Sequence, residues 1–128
     1  MILLLDTHLL LWAAGAPERL SADAQSLLKD AGNELVFSAA SLWEIVTKHG
    51  LGRPDFRLDI RRLRQGLLGN HYREVAVTSE HAVALGRLPS LHKDPFDRIL
   101  VAQAEVEGFR LLTSDRLVGQ YGGAVQLV

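Results

Sequence analysis

Asp6, Glu44, Asp97 and Asp115 are the residues of this chain best suited to chemistry. Carboxylates drawn together in a folded protein repel one another and hold protons unless a cation neutralises them. An all-oxygen site of that kind suits a hard divalent ion, magnesium or manganese, which keeps bound waters that can act as nucleophiles. Softer chemistry is poorly supplied. There is no cysteine, so no disulfide, thiolate ligand or thiol nucleophile is available. His8, His49, His71, His81 and His92 lack the paired spacing of a nitrogen-rich zinc site and read mostly as surface residues.

Each acid also has an ordinary structural explanation. Asp6 can accept backbone N–H groups in the turn after its strand. Ser41-Leu42-Trp43-Glu44 matches a capping box if a helix begins at Ser41. Asp97 stands three residues after a candidate cap, Asp94, where a helix dipole favours an acid. Asp115 can cap a final helical turn. The weight therefore rests on whether the fold brings the four together.

The elements that must position them are legible. Residues 2 to 5 form an apolar strand, followed by Asp6-Thr7-His8 and a short helix over Leu9 to Ala14 that Gly15 and Pro17 break. Ser21 caps a helix from Ala22 to Ala31, and Glu34 to Phe37 reads as a second buried strand. Ser38 caps a helix from Ala39 to about His49 with Leu42, Ile45 and Val46 as its apolar stripe. Arg53 to Asn70 reads as an irregular helical excursion. A strand over Arg73 to Val77 and a helix over Ser79 to Leu85 follow. Asp94-Pro95 opens a helix that runs to Glu107 before Gly108. Phe109 to Thr113 is a strand, Asp115 to Gln120 a helical turn, and Ala124 to Val128 a last strand.

Strands alternating with helices predict a three-layer α/β/α fold with a mostly parallel sheet of about five strands, in one domain over 1–128. Ligands of such folds gather beyond the carboxyl ends of the strands, which is where Asp6 and Asp115 fall. Helix beginnings share that edge, which brings Glu44 and Asp97 to it as well.

Composition narrows the partners. With 128 residues, 48% of them hydrophobic and 23% charged, the chain can bury roughly two-thirds of its unfolded surface and needs no staple. The opening Met-Ile-Leu-Leu-Leu lacks a basic leader and meets Asp6 at once, so it reads as a strand rather than a signal peptide. No apolar run approaches the roughly 18 residues of a membrane span, so no membrane partner is expected, and the absence of cysteine suits a cytoplasmic location. A net charge of −1 gives no general attraction for polyanions. The one basic concentration is Lys48, Arg53, Arg57, Arg61, Arg62, Arg64 and Arg73, either a solvated face or a surface that tracks phosphates.

Four segments, LLLDTHLLLW, SAASLWEIVTK, HKDPFDRILVAQA and LLTSD, keep the acids in an order and spacing that resembles the PIN-domain nucleases, particularly the toxins of VapBC-type toxin–antitoxin systems. The resemblance spans nearly the whole chain. It implies a metal-dependent endoribonuclease in which Asp6, Glu44, Asp97 and Asp115 are catalytic and hold Mg2+ or Mn2+. Asp94 would be a cap first and an auxiliary ligand second, and Thr7 and Thr113 could orient carboxylates. It further implies an RNA substrate, an antitoxin protein that covers the site, and a homodimer. Trp12 and Trp43 read as core or interface anchors, Arg98 as a salt-bridge partner for the acids, and Lys48 as a partner of Glu44 one turn earlier. Two rivals stand beside this reading. An aspartyl phosphatase of haloacid-dehalogenase type would want a second Asp two residues after Asp6, where this chain has His8. A metal-stabilised protein-binding module would carry the same acids without turnover.

Overall fold

The computed structural model describes residues 1–128. Its centre is a sheet of five strands: β1 (Ile2–Leu5), β2 (Glu34–Ser38), β3 (Arg73–Val75), β4 (Arg110–Thr113) and β5 (Val125–Leu127). All pairings are parallel, in the order β3-β2-β1-β4-β5. The helices are α1 (Thr7–Gly15), α2 (Ala22–Lys29), α3 (Ala39–Gly50), α4 (Ile60–Gly69), α5 (Ser79–Ala84), α6 (Pro95–Glu107) and α7 (Arg116–Gly119).

The strands are apolar on both faces because both are covered. Leu3, Leu5, Phe37 and Leu112 point into a core with Leu9, Leu10, Ile45, Phe56, Leu63 and Leu67, contributed by α1, α3, α4 and the segment between α3 and α4. Leu4, Val36, Leu111 and Val125 point the other way, against residues of α5, α6 and α7 such as Ala84, Leu100, Val101 and Val118. The alternation is the two-residue period of a pleated strand. Parallel strands need right-handed crossovers, and the chain reverses its direction of travel across the sheet after β3, so later helices fall on the opposite face. Three layers result.

Local signals set most boundaries. Ser21 accepts from the Ala24 N–H and Ser38 from the Ala40 N–H, each opening the helix expected of it. Asp94 accepts from the Phe96 N–H, Pro95 fills the first helical position, and Gly108 ends α6 at φ 73, a left-handed conformation suited to glycine. Several expectations need correction. The 53–70 stretch is a 3-10 turn at Pro54–Phe56 followed by a regular helix capped by Asp59. Val46 is exposed, and the buried stripe of α3 is Ala40, Ser41, Glu44 and Ile45. His81 is wholly buried: its Nδ1 accepts from the Thr78 N–H in a capping box, and its Nε2 lies 3.1 Å from Glu107. No helix is long and apolar enough to cross a membrane.

Candidate active site

The strand order reverses between β1 and β4, which leaves a crevice beyond their carboxyl ends. Asp6 follows β1 there and caps α1, its Oδ1 accepting from the Leu9 N–H at 2.9 Å. Its Oδ2 accepts from the Thr113 hydroxyl, at the end of β4, at 2.6 Å. The same Thr113 oxygen accepts from the Asp115 N–H at 3.0 Å, and Asp115 in turn caps α7. One hydroxyl thus joins the two strand ends and fixes Asp6 against the turn that bears Asp115. Burial raises the Asp6 carboxyl above its usual range; the Thr113 and Leu9 hydrogen bonds and the charge of His8 oppose that rise, and Glu44 adds to it. A Thr113→Val variant keeps the shape and loses both contacts of that hydroxyl. It should lose roughly 1.5–3 kcal/mol of stability in urea unfolding at neutral pH, the worth of a hydrogen bond to a charged group; an unchanged midpoint would refute this account of the strand-end link.

Glu44 lies in the second turn of α3, because the helix begins at Ala39 and not at Ser41. No capping box forms. Glu44 is instead turned inward, 2% exposed, with the Thr7 hydroxyl donating to its Oε1. Thr7 has one proton to give, so the Ser41 hydroxyl, 3.0 Å away, is the donor between those two. The Lys48 ammonium donates to Glu44 Oε2 and also approaches Asp94 Oδ2 at 3.3 Å. Burial lowers the Lys48 pKa, but the hydrogen bond and charge of Glu44 and the charge of Asp94 outweigh it, and the net shift is upward. The pairing of Lys48 with Glu44 was expected from their spacing; the bridge to Asp94 was not.

Asp97, third residue of α6, stands where these groups meet. Its carboxyl is pushed up to about 7, first by burial and then by the charges of Asp94, Glu44, Asp6 and Asp115. Asp6, Glu44 and Asp115, with Asp94 as a fifth acid, therefore all bear on Asp97. They are not equally close. Asp97 and Asp115 supply oxygens that, with the Nε2 of His92, lie within 4.8 Å of one another. Asp6 and Glu44 fall outside that tight group, their oxygens engaged by Thr113, Leu9, Thr7 and Lys48. His92 carried no spacing signal; the one clue was its place two residues before the cap of α6.

Other residues take different parts. Arg98 does not pair with the acids; its guanidinium donates to the carbonyls of Pro89 and Leu85 and to the Tyr121 hydroxyl, tying down the segment before α6. Trp43 is 66% exposed and meets Phe96 edge-on at 5.0 Å, so it belongs to no core. Of the basic group, Arg64 and Arg73 pair with Glu74 and Glu34, and Arg53 lies over Phe56. Arg57, Arg61 and Arg62 are exposed. A concavity of about 970 Å³, walled by Leu11, Trp12, Leu28, Leu63, Leu67 and Tyr72, includes none of the four acids in its lining.

Known proteins share this arrangement of elements. The chain is 34% identical over 114 residues to "Ribonuclease VapC22" of Mycobacterium tuberculosis (strain ATCC 25618 / H37Rv), across 88% of this chain and 86% of that protein. Its fold resembles a chain in the crystal structure of VapBC2 from Rickettsia felis bound to a DNA fragment from their promoter, with a TM-score of 0.68, 17% identity and coverage of 100% and 98% of the two chains. It also resembles a chain of VapBC-1 from nontypeable Haemophilus influenzae, with a TM-score of 0.69, 18% identity and coverage of 100% and 97%. A family model described as the PIN domain matches residues 3–123. With that match over nearly all of its length, the chain belongs to the PIN-domain family.

Proposed function

We propose that this protein is a metal-dependent endoribonuclease that hydrolyses RNA phosphodiesters and serves as the toxin of a type II toxin–antitoxin pair. The observation that carries the proposal is the convergence on Asp97, whose carboxyl is held at about 7 by burial and by Asp94, Glu44, Asp6 and Asp115. Five carboxyl groups there meet one ammonium, that of Lys48. That excess of oxygen charge fits a hard divalent cation. Asp6, Glu44, Asp97 and Asp115 would hold Mg2+ or Mn2+, Glu44 directly or through water. When bound, such an ion supplies Lewis acidity towards a phosphate and an acidified water. The chain's own part is to preset the oxygens: Thr113 orients Asp6, Thr7 and Lys48 orient Glu44, and the cap of α7 orients Asp115.

Similarity to a protein named a ribonuclease supports RNA as the substrate. Solved neighbours described as VapBC and as a toxin–antitoxin complex from Klebsiella pneumoniae support an antitoxin partner. Self-association belongs to the same reading, with the exposed Trp43 and Val46 of α3 as candidates for the contact; sedimentation of the wild type and a Trp43→Ser variant would test it. The aspartyl-phosphatase rival is disfavoured, because both Asp6 oxygens already accept hydrogen bonds and position 8 is histidine.

The test is cleavage of mixed RNA by purified protein with Mg2+ or Mn2+, with EDTA and an Asp6→Asn variant as controls. Cleavage should stop with EDTA and fall by on the order of 10²–10³-fold in the variant, as when one preorganised electrostatic contact to developing charge is removed. Cleavage that survives both would sink the metal reading, and RNA left intact in every condition would favour the binding module.

A further inference from the structure

His92 lies in the segment between the 3-10 turn at Leu85–Arg87 and α6, with a half-buried ring. Its Nδ1 accepts from the Asp94 N–H at 3.0 Å. An imidazole nitrogen that accepts a backbone N–H has no proton of its own, so the ring's one proton sits on Nε2. That Nε2 stands 3.2 Å from Asp97 Oδ2 and 3.6 Å from Asp115 Oδ2.

His92, Asp97 and Asp115 have the compactness of a ligand triad. The tautomer argues otherwise for the histidine. To bind a metal through Nε2, the ring would have to move its proton to Nδ1, placing N–H against the Asp94 N–H that now donates to it. The loss of that bond would disturb the residue that caps α6, three positions before Asp97. We propose that His92 is a positioning residue, which holds its Nε2–H between Asp97 Oδ2 and the more distant Asp115 Oδ2 and so steadies these carboxylates electrostatically for the metal without ligating it. The proposal rests on the metal reading above and adds to it how two ligand oxygens are kept together against their mutual repulsion. The ring is anchored at the same helix start that carries Asp97, so its position relative to that carboxylate is set by α6 itself. Groups that orient metal ligands from outside typically matter 10–100-fold for metal affinity.

The experiment has two arms. In the first, long-range 1H–15N spectra of the full-length protein distinguish the tautomers of His92, without metal and with 113Cd2+ as the probe. The proposal expects Nε2–H with bare Nδ1 in both states and no 113Cd–15N coupling. A protonated Nδ1 in the metal-free protein, or a 113Cd–15N coupling to Nε2, overturns it. In the second, Mn2+ binding is measured by calorimetry for the wild type, His92→Ala and His92→Gln, with thermal melts to verify folding. His92→Ala should bind Mn2+ about 10–100-fold more weakly, and His92→Gln, which restores an N–H donor, should recover most of that loss. Wild-type affinity in a folded His92→Ala variant overturns the proposal. Failure of the wild type to bind any divalent ion would strike the metal reading instead, while the metal-free spectra still decide the tautomer.

Discussion

An Asp97→Asn variant is expected to lose RNA cleavage and, in metal-free buffer at pH 8, to melt higher than the parent. The two effects have one origin. Asp97 has its carboxyl raised from 3.8 to about 7, first by burial and then by its acidic neighbours. Between those values the native state holds a proton that the unfolded chain has released, so metal-free stability is greatest on the acid side of the window and falls as pH rises through it. At about 1.4 kcal/mol per unit, the full effect above pH 7 is at most about 4 kcal/mol. Asparagine cannot ionise and avoids it. Its melting temperature at pH 8 should exceed the parent's by roughly 10 °C, and the difference should shrink towards pH 4. Added Mn2+ should narrow the gap, since saturation to about 100 times Kd stabilises the wild type by about 2.7 kcal/mol and has little purchase on the variant. Calorimetric scans at pH 5 and pH 8 with EDTA decide the matter; a variant less stable than the parent at pH 8 would contradict this electrostatic account.

Lys48→Met should be among the most destabilising surface-adjacent changes in the protein. Glu44 is 2% exposed and relies on Lys48 for its charge partner, and breaking a buried pair by removing one member typically costs about 3–5 kcal/mol. The Lys48 ammonium also lies 5.3 Å from the Phe56 ring centroid and 5.9 Å from that of Phe96, and methionine, which keeps most of the stem, gives up these cation contacts along with the ion pair. The folded pKa of Lys48 is raised, because Glu44 and Asp94 outweigh burial. Its contribution is therefore whole at pH 7 and is lost only as pH climbs through that raised value. One rescue is expected: a Glu44→Gln/Lys48→Met double variant should recover most of the loss in urea titrations. A double variant as unstable as the two single changes added together would show that the pair is not coupled.

Sequence and structure agree best where the signal is local. Asp94-Pro95 and Gly108 bracket α6 as expected, Ser21 and Ser38 cap their helices, and the apolar runs before Asp6 and Asp115 are strands. Disagreement begins where a side chain's direction depends on what packs against it. Ser41 to Glu44 has the form of a capping box, yet Ser38 had already opened the helix three residues earlier, which turned Glu44 towards Thr7 and left Val46 in solvent. Arg98 looked like a partner for the nearby acids, but on α6 it points to carbonyls of the preceding segment. His81 and His92 carry no ligand spacing in the sequence; one is buried under a capping box and the other faces the acids, because each lies beside a helix start whose N–H groups its ring can serve. The order β3-β2-β1-β4-β5, which creates the crevice, has no local signature at all.

The Thr113 to Asp6 hydrogen bond joins residues 107 positions apart. On a chain made from its N-terminus, Asp6 and Glu44 emerge in the first half, while Asp97, β4 and Asp115 follow much later. At about 5–20 residues per second, the earlier acids wait several seconds for their counterparts. During that interval the four proposed metal ligands are still apart, and the hydroxyl that fixes Asp6 has yet to be made.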